Sequence, residues 1–163
     1  MKVSIKGGLK RQRDAINEMV YWVGRQLLSR RLYAATILNI ELKNLDKEDY
    51  KACTNVCPEY YASRRPRAFD LEFDKSKKLD EIREDLCHEM VHVKQFERGE
   101  LYRYDQHEHI RWKDKIYHTS IEDGIEYWSL PYEIEARGHE KALRMKFREY
   151  LKTRGKRKCA STQ

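Results

Sequence analysis

The chain has 163 residues, the size of one domain, but 37% of them are charged, so its core is lean for its length. A formal charge of +7 points to phosphate-bearing or acidic partners. Nothing approaches the roughly 20 apolar residues of a membrane span, and Met1 to Gly8 holds no apolar run of the kind a secretory signal needs. The expectation is a soluble cytoplasmic protein with no membrane partner.

From about residue 9 to 31, Ile16, Met19, Val20, Val23, Leu27 and Leu28 recur at helical period with basic residues opposite, which predicts an N-terminal helix. Leu32 to Leu42 carries the β-formers Tyr33, Thr36, Ile37 and Ile40 and predicts a strand. Lys43 to Tyr50 reads as a charged turn. Val56 to Asp74 holds one or two strands interrupted by Pro58 and Pro66, with strict alternation from Ala68 to Phe73. Leu79, Ile82, Leu86, Met90 and Val93 then return to spacings of three and four. Asp80, Glu81 and Glu84 lie early and Lys94 and Arg98 late, as the helix dipole favours, and Gly99 is the stop signal. Arg111 to Tyr117 predicts a short hairpin around residues 113–115. Pro131 suits the first turn of a last helix, whose apolar face continues through Ala136, Leu143, Phe147 and Leu151. These elements predict an α+β fold, a small sheet with three helices, in a single domain over 1–155. Residues 156–163 read as a basic, flexible tail.

Chemistry concentrates at His88-Glu89-Met90-Val91-His92. On a helix, positions i and i+4 lie one above the other, so His88 and His92 offer two imidazoles to one metal ion. Glu89 follows the first imidazole and can reach a water beside that metal as general base. The two histidines lie off the Leu79–Leu86–Met90 stripe, on a flank that can face a cleft. A catalytic zinc takes three protein ligands and leaves one position open. For the third, Glu133 is preferred: it shares a helix face with the small Ala136, which lets that helix approach the motif helix, whereas Glu135 points roughly the other way. His107 and His109 are further candidates, fifteen and seventeen residues after His92.

The run Cys-His-Glu-Met-Val-His-Val-Lys-Gln over 87–95, then Gly99-Glu100-Leu101, Tyr127-Trp128 and Pro131-Tyr132-Glu133-Ile134-Glu135-Ala136, resembles the small phage- and bacteria-encoded zinc metallopeptidase-like proteins of the gluzincin type. The resemblance covers about residues 79–148. It implies a zincin-like domain, zinc held by His88, His92 and Glu133, Glu89 as catalytic base, and a peptide or protein substrate. It also implies an edge strand before the motif helix that binds extended substrate, a role the Phe69–Phe73 segment is placed to take, with an ordinary sheet strand of no substrate role as the equal alternative. Arg137 is a departure, since many gluzincins have an acid four positions after the ligand Glu. It leaves Glu135, with His139 four positions on, as an alternative ligand.

Cys53 and Cys57 stand at a spacing within the looser range of zinc pairs, but no second pair follows, and Cys87 reads as a small buried hydrophobe. Tyr117, Tyr127 and Tyr132 are candidate oxyanion donors. Between Lys141 and Lys158 nine Lys or Arg residues face one acid, Glu149. That run, with the smaller patch at 63–67, carries the alternative function: a basic module of zincin fold that binds nucleic acid or an acidic protein with little or no hydrolysis.

Overall fold

The computed structural model describes residues 1–48, 50–104, 109–118 and 127–160, without the side chains of 118 and 155–160. Over these residues the fold is α+β, built from two sheets and four α-helices. Its first strand, β1 (Lys2–Gly7), falls in a segment expected to carry no element. The signal was there, because Val3 and Ile5 alternate with Lys2, Ser4 and Lys6 at strand period. Gly7 ends the strand at φ 73°, and a Cβ there would sit 2.1 Å from the Leu42 carbonyl oxygen, so no larger residue fits.

Helix α1 (Lys10–Leu27) buries Ile16, Met19, Val20 and Val23 as the periodicity predicts. The chain then makes a second helix, α2 (Arg30–Ala35), where the sequence predicted the start of a strand. Ser29 accepts the Leu32 N–H at its N-terminus, and Thr36 N–H closes on the Leu32 carbonyl at 2.9 Å. This cap and the helix-forming Ala34 and Ala35 outweigh the β preference of Tyr33. Strand β2 (Ile37–Lys43) follows, then β3 (Ala52–Val56) and β4 (Ala68–Asp74). β3 begins earlier than predicted, ahead of Pro58, which opens a short 3₁₀ turn.

These strands form one sheet in the order β1-β2-β4-β3, with β1, β2 and β4 parallel and β3 antiparallel at the edge. The Phe69–Phe73 segment therefore cannot receive a substrate strand. It lies in β4, whose backbone is already paired on both sides, and the edge beside the motif helix is β3. One face of the sheet buries Leu38, Ile40, Leu42, Phe69, Leu71 and Phe73. The other carries polar ladders, among them Ser4–Asn39 at 3.0 Å, Asn39–Asp70 at 2.9 Å and Lys43–Glu72 at 2.7 Å.

Helix α3 (Leu79–Arg98) packs on the buried face. Glu81 reaches back to accept the Lys78 N–H at 2.8 Å, and Gly99 ends the helix at φ 70° as predicted. Its second half is buried nearly all round, so it is the central rod of the molecule. A small antiparallel sheet follows, β5 (Leu101–Arg103), β6 (His109–Trp112) and β7 (Lys115–His118). The predicted hairpin is β6–β7, turning through Lys113 at φ 53°. The last helix, α4 (Pro131–Ala160), packs against α3 and reaches into the segment read as a tail. No helix among the described residues is long and apolar enough to cross a membrane.

Candidate metal centre

α3 presents His88 and His92 one turn apart, and the first turn of α4 brings Glu133 against both. His88 Nε2 lies 3.0 Å from His92 Nε2 and 3.1 Å from Glu133 Oε2, and His92 Nε2 lies 3.3 Å from Glu133 Oε1. Three ligands about 2.0–2.1 Å from one zinc at tetrahedral angles stand about 3.3 Å apart. The two Glu133 distances run to its different oxygens, and one atom from each residue lies within 4.8 Å of the others, so the set can close on a metal ion as the carboxylate turns; it is the one such group of His, Cys, Asp or Glu among the described residues. Ala136, fully buried, faces α3 one turn after Glu133 and permits this close approach.

Each donor is held from behind. With Nε2 of both rings turned to the shared point, Nδ1–H of His88 donates to Glu140 Oε2 at 3.0 Å, and Nδ1–H of His92 donates to Gln95 Oε1 at 2.8 Å. Such outer partners fix ring orientation and raise ligand basicity. Tyr127 donates its hydroxyl to Glu133 Oε1 at 2.6 Å. Burial would raise the Glu133 carboxyl, but when the imidazoles carry protons on Nε2 in place of a metal, their hydrogen bonds and that of Tyr127 outweigh it and hold it far below the usual carboxylate range. Burial also disfavours a charged His88, yet Glu133, Glu89 and Glu140 together raise its pKa.

Glu89 is buried beside this group, and Thr54 of β3 donates to its Oε2 at 2.7 Å. Burial dominates and pushes its carboxyl pKa up, against the pull of both histidines and Thr54. The carboxylate is thus a stronger proton acceptor than an exposed one.

Glu135 does not join the group. Lys94 Nζ donates to its Oε1 and Gln95 Nε2 to its Oε2, both at 2.8 Å, and Gln95 also holds the Tyr132 carbonyl at 3.0 Å. Gln95 therefore links His92 to α4, with Glu135 as a buttress. Arg137 does not clamp Glu135: its guanidinium lies 3.8 Å from the centroid of the Trp128 ring, beside the cleft. His109 is in β6 and outside the donor group. His107 lies outside the described residues, as does the His118 side chain.

The sequence reading missed Thr54, Gln95 and Glu140. Gln95 lies three residues after His92 and Glu140 seven after Glu133, spacings that share a helix face and so were legible. Thr54 had no such signal, being brought to Glu89 by sheet pairing across 35 residues. No protein-family model, curated protein or solved structure matches this chain. The site stands on its own geometry.

A cleft opens over the donor group along the edge of β3, lined by Tyr50, Ala52, Asn55, Tyr127 and Tyr132. Of the candidate oxyanion donors, Tyr127 is engaged with Glu133, and Tyr117 lies in β7 against the core. The Tyr132 hydroxyl is buried and has no hydrogen-bond partner among the described residues. The cysteines supply no second centre among the described residues: burial, first of all, raises Cys53 to about 11 and Cys57 and Cys87 to about 12, and all three are free thiols.

Proposed function

We propose that this chain is a zinc-dependent metallopeptidase of zincin type, acting on peptide or protein substrates. The observation that carries the reading is the convergence of ligand atoms of His88, His92 and Glu133 within 4.8 Å of one another, with a buried Glu89 against them. Zinc bound to these three residues supplies a Lewis acid that polarises the scissile carbonyl and lowers the pKa of water.

The chain's own residues do the rest. Thr54 fixes one oxygen of Glu89, and the other accepts a proton as water attacks the carbonyl carbon. When the carbon–nitrogen bond breaks, Glu89 returns that proton to the departing amine. Glu140 and Gln95 hold the imidazoles in the tautomer that leaves Nε2 free as a donor. The free edge of β3 offers backbone hydrogen bonds to an extended chain.

The basic binding-module reading draws less support, because arginines of the basic run are engaged within the molecule. Arg144 pairs with Glu84 at 2.8 Å, Arg148 with Asp80 and Arg154 with Glu18.

The test is Glu89→Gln. It is expected to keep zinc and fold while proteolysis of an unfolded protein such as casein falls by at least about 100-fold. Undiminished hydrolysis in Glu89→Gln would overturn the mechanism.

A further inference from the structure

Beyond the end of β3, the metal cleft runs into a second recess. Asn55 and Arg103 line both, and Arg103 donates to Asn55 Oδ1 at 3.4 Å on the ridge between them. The recess has a cavity volume of about 90 Å3 and is open to solvent. Val56 and Phe96 line it together with Tyr61, Pro66, Tyr102 and Tyr104. Tyr61 is 55% exposed and Tyr104 40%, while Tyr102 and Tyr104 meet edge to face at 5.1 Å. A concave aromatic surface with exposed rings is costly to leave in water, and ligand sites have this character.

The strand beside the recess fixes what fits there. Thr54, which holds Glu89, and Val56, in the recess wall, are two residues apart on β3, or about 7 Å at strand rise. Among the described residues no strand pairs with the outer edge of β3. A peptide added to that edge therefore brings a side chain over the recess two residues from the bond lying over the metal group. Antiparallel addition, the more stable pairing, puts the peptide's amino end at Val56.

We infer that this recess is a specificity subsite for a large apolar side chain, aromatic above all, two residues to the amino side of the cleaved bond. The assignment rests on the peptidase reading. It names the substrate class as extended or unfolded segments carrying Phe, Tyr, Trp or Leu at that position. The polar parts agree with a peptide: Asn55 and Arg103 stand at the ridge, where they can reach its backbone.

The zinc-loaded full chain is incubated with a mixed peptide pool from a digested proteome, and the products are sequenced. Phe, Tyr, Trp and Leu are expected at the second position before the new carboxyl terminus about tenfold more often than Gly or Asp, the selectivity of a good apolar pocket. Tyr104→Ala, at an exposed ring, and Val56→Trp, which fills the recess, are each expected to cut that preference to threefold or less. They should leave zinc content and the preferences at other positions as they were.

A binding arm separates the subsite from the chemistry. Zinc-loaded Glu89→Gln protein is titrated with labelled dodecapeptides differing only by Phe or Ser, and with oligo-dT. Tighter binding of the Phe peptide, with wild type cutting neither, keeps the subsite and removes the peptidase reading. Cleavage indifferent to that position removes the subsite and keeps the reading. Binding of oligo-dT that is lost in Tyr104→Ala, without peptide preference, reassigns the recess to nucleobases and overturns the inference, as does absence of binding to either probe.

Discussion

Glu133 and Glu135 sit two residues apart in α4 and so about 200° apart around its axis, and each has a different neighbourhood. Glu133 meets two imidazoles and a phenol, whereas Glu135 meets an ammonium and an amide. Glu133→Ala is therefore expected to abolish tight zinc binding, while Glu135→Ala weakens it about tenfold through Gln95, as outer partners do. Titration against a zinc chelator reads both. Glu140→Gln should weaken zinc by about 10- to 100-fold, because His88 loses the anion behind it. Tyr132→Phe removes a buried hydroxyl that has no partner among the described residues, so urea unfolding should show no loss of stability or a gain of about 1 kcal/mol.

At the scale of elements, the site depends on how closely α4 approaches α3. Ala136 is fully buried at that contact, and Ala136→Leu should cost about 1–3 kcal/mol and lower zinc affinity without touching a ligand. The far end of α3 carries a different device. Glu97 is buried, accepts the Thr36 hydroxyl at 2.7 Å with one oxygen, and has no partner for the other among the described residues. Burial lifts its carboxyl to about 7, against Thr36, Arg67 and the chain's amino terminus. An unfolded Glu titrates near pH 4.3. Between about pH 4.3 and 7 the folded state thus binds more protons than the unfolded state, and stability falls as pH rises. The cost is complete above about pH 7 and on the order of 3–4 kcal/mol. Glu97→Gln should flatten unfolding free energy over that window and raise it at pH 8.

Reading elements from sequence succeeded where a local pattern was also the tertiary one. The 79–98 helix with its Gly99 stop and the α4 start at Pro131 needed no partner to be recognised, nor did the β6–β7 hairpin. It failed at Leu32–Ala35, where β propensity lost to a cap at Ser29, and at β1, whose five-residue alternation was passed over. The choice between substrate edge and ordinary sheet strand at Phe69–Phe73 stayed open because strand order is set by pairing. Alternation in Ala68–Phe73 says that one face is buried and not which strands lie beside it. For the same reason Glu133 and the histidines could be anticipated while Thr54 could not.

Across the whole molecule, α4 closes the fold as well as completing the site. Phe147 is buried against Trp22 of α1 at a ring separation of 5.4 Å, and Tyr150 packs on both. Phe147→Ala is expected to cost about 3–5 kcal/mol in urea unfolding and to lower zinc affinity with it. The arginine pairs along α4 lie at partly exposed positions, so each contributes at most about 1 kcal/mol. Their effect is to spend part of the +7 charge internally. Zinc should stabilise the fold by mass action, with the thermal midpoint rising as free zinc rises above its dissociation constant.

Zinc stoichiometry, measured by elemental analysis on wild type, Glu89→Gln and the double variant His88→Ala/His92→Ala purified side by side, tests the central claim most directly. One zinc per chain is expected in the first two proteins and none in the third. Stoichiometric zinc in the double variant, or a wild type that takes up none from zinc-containing buffer, would contradict it.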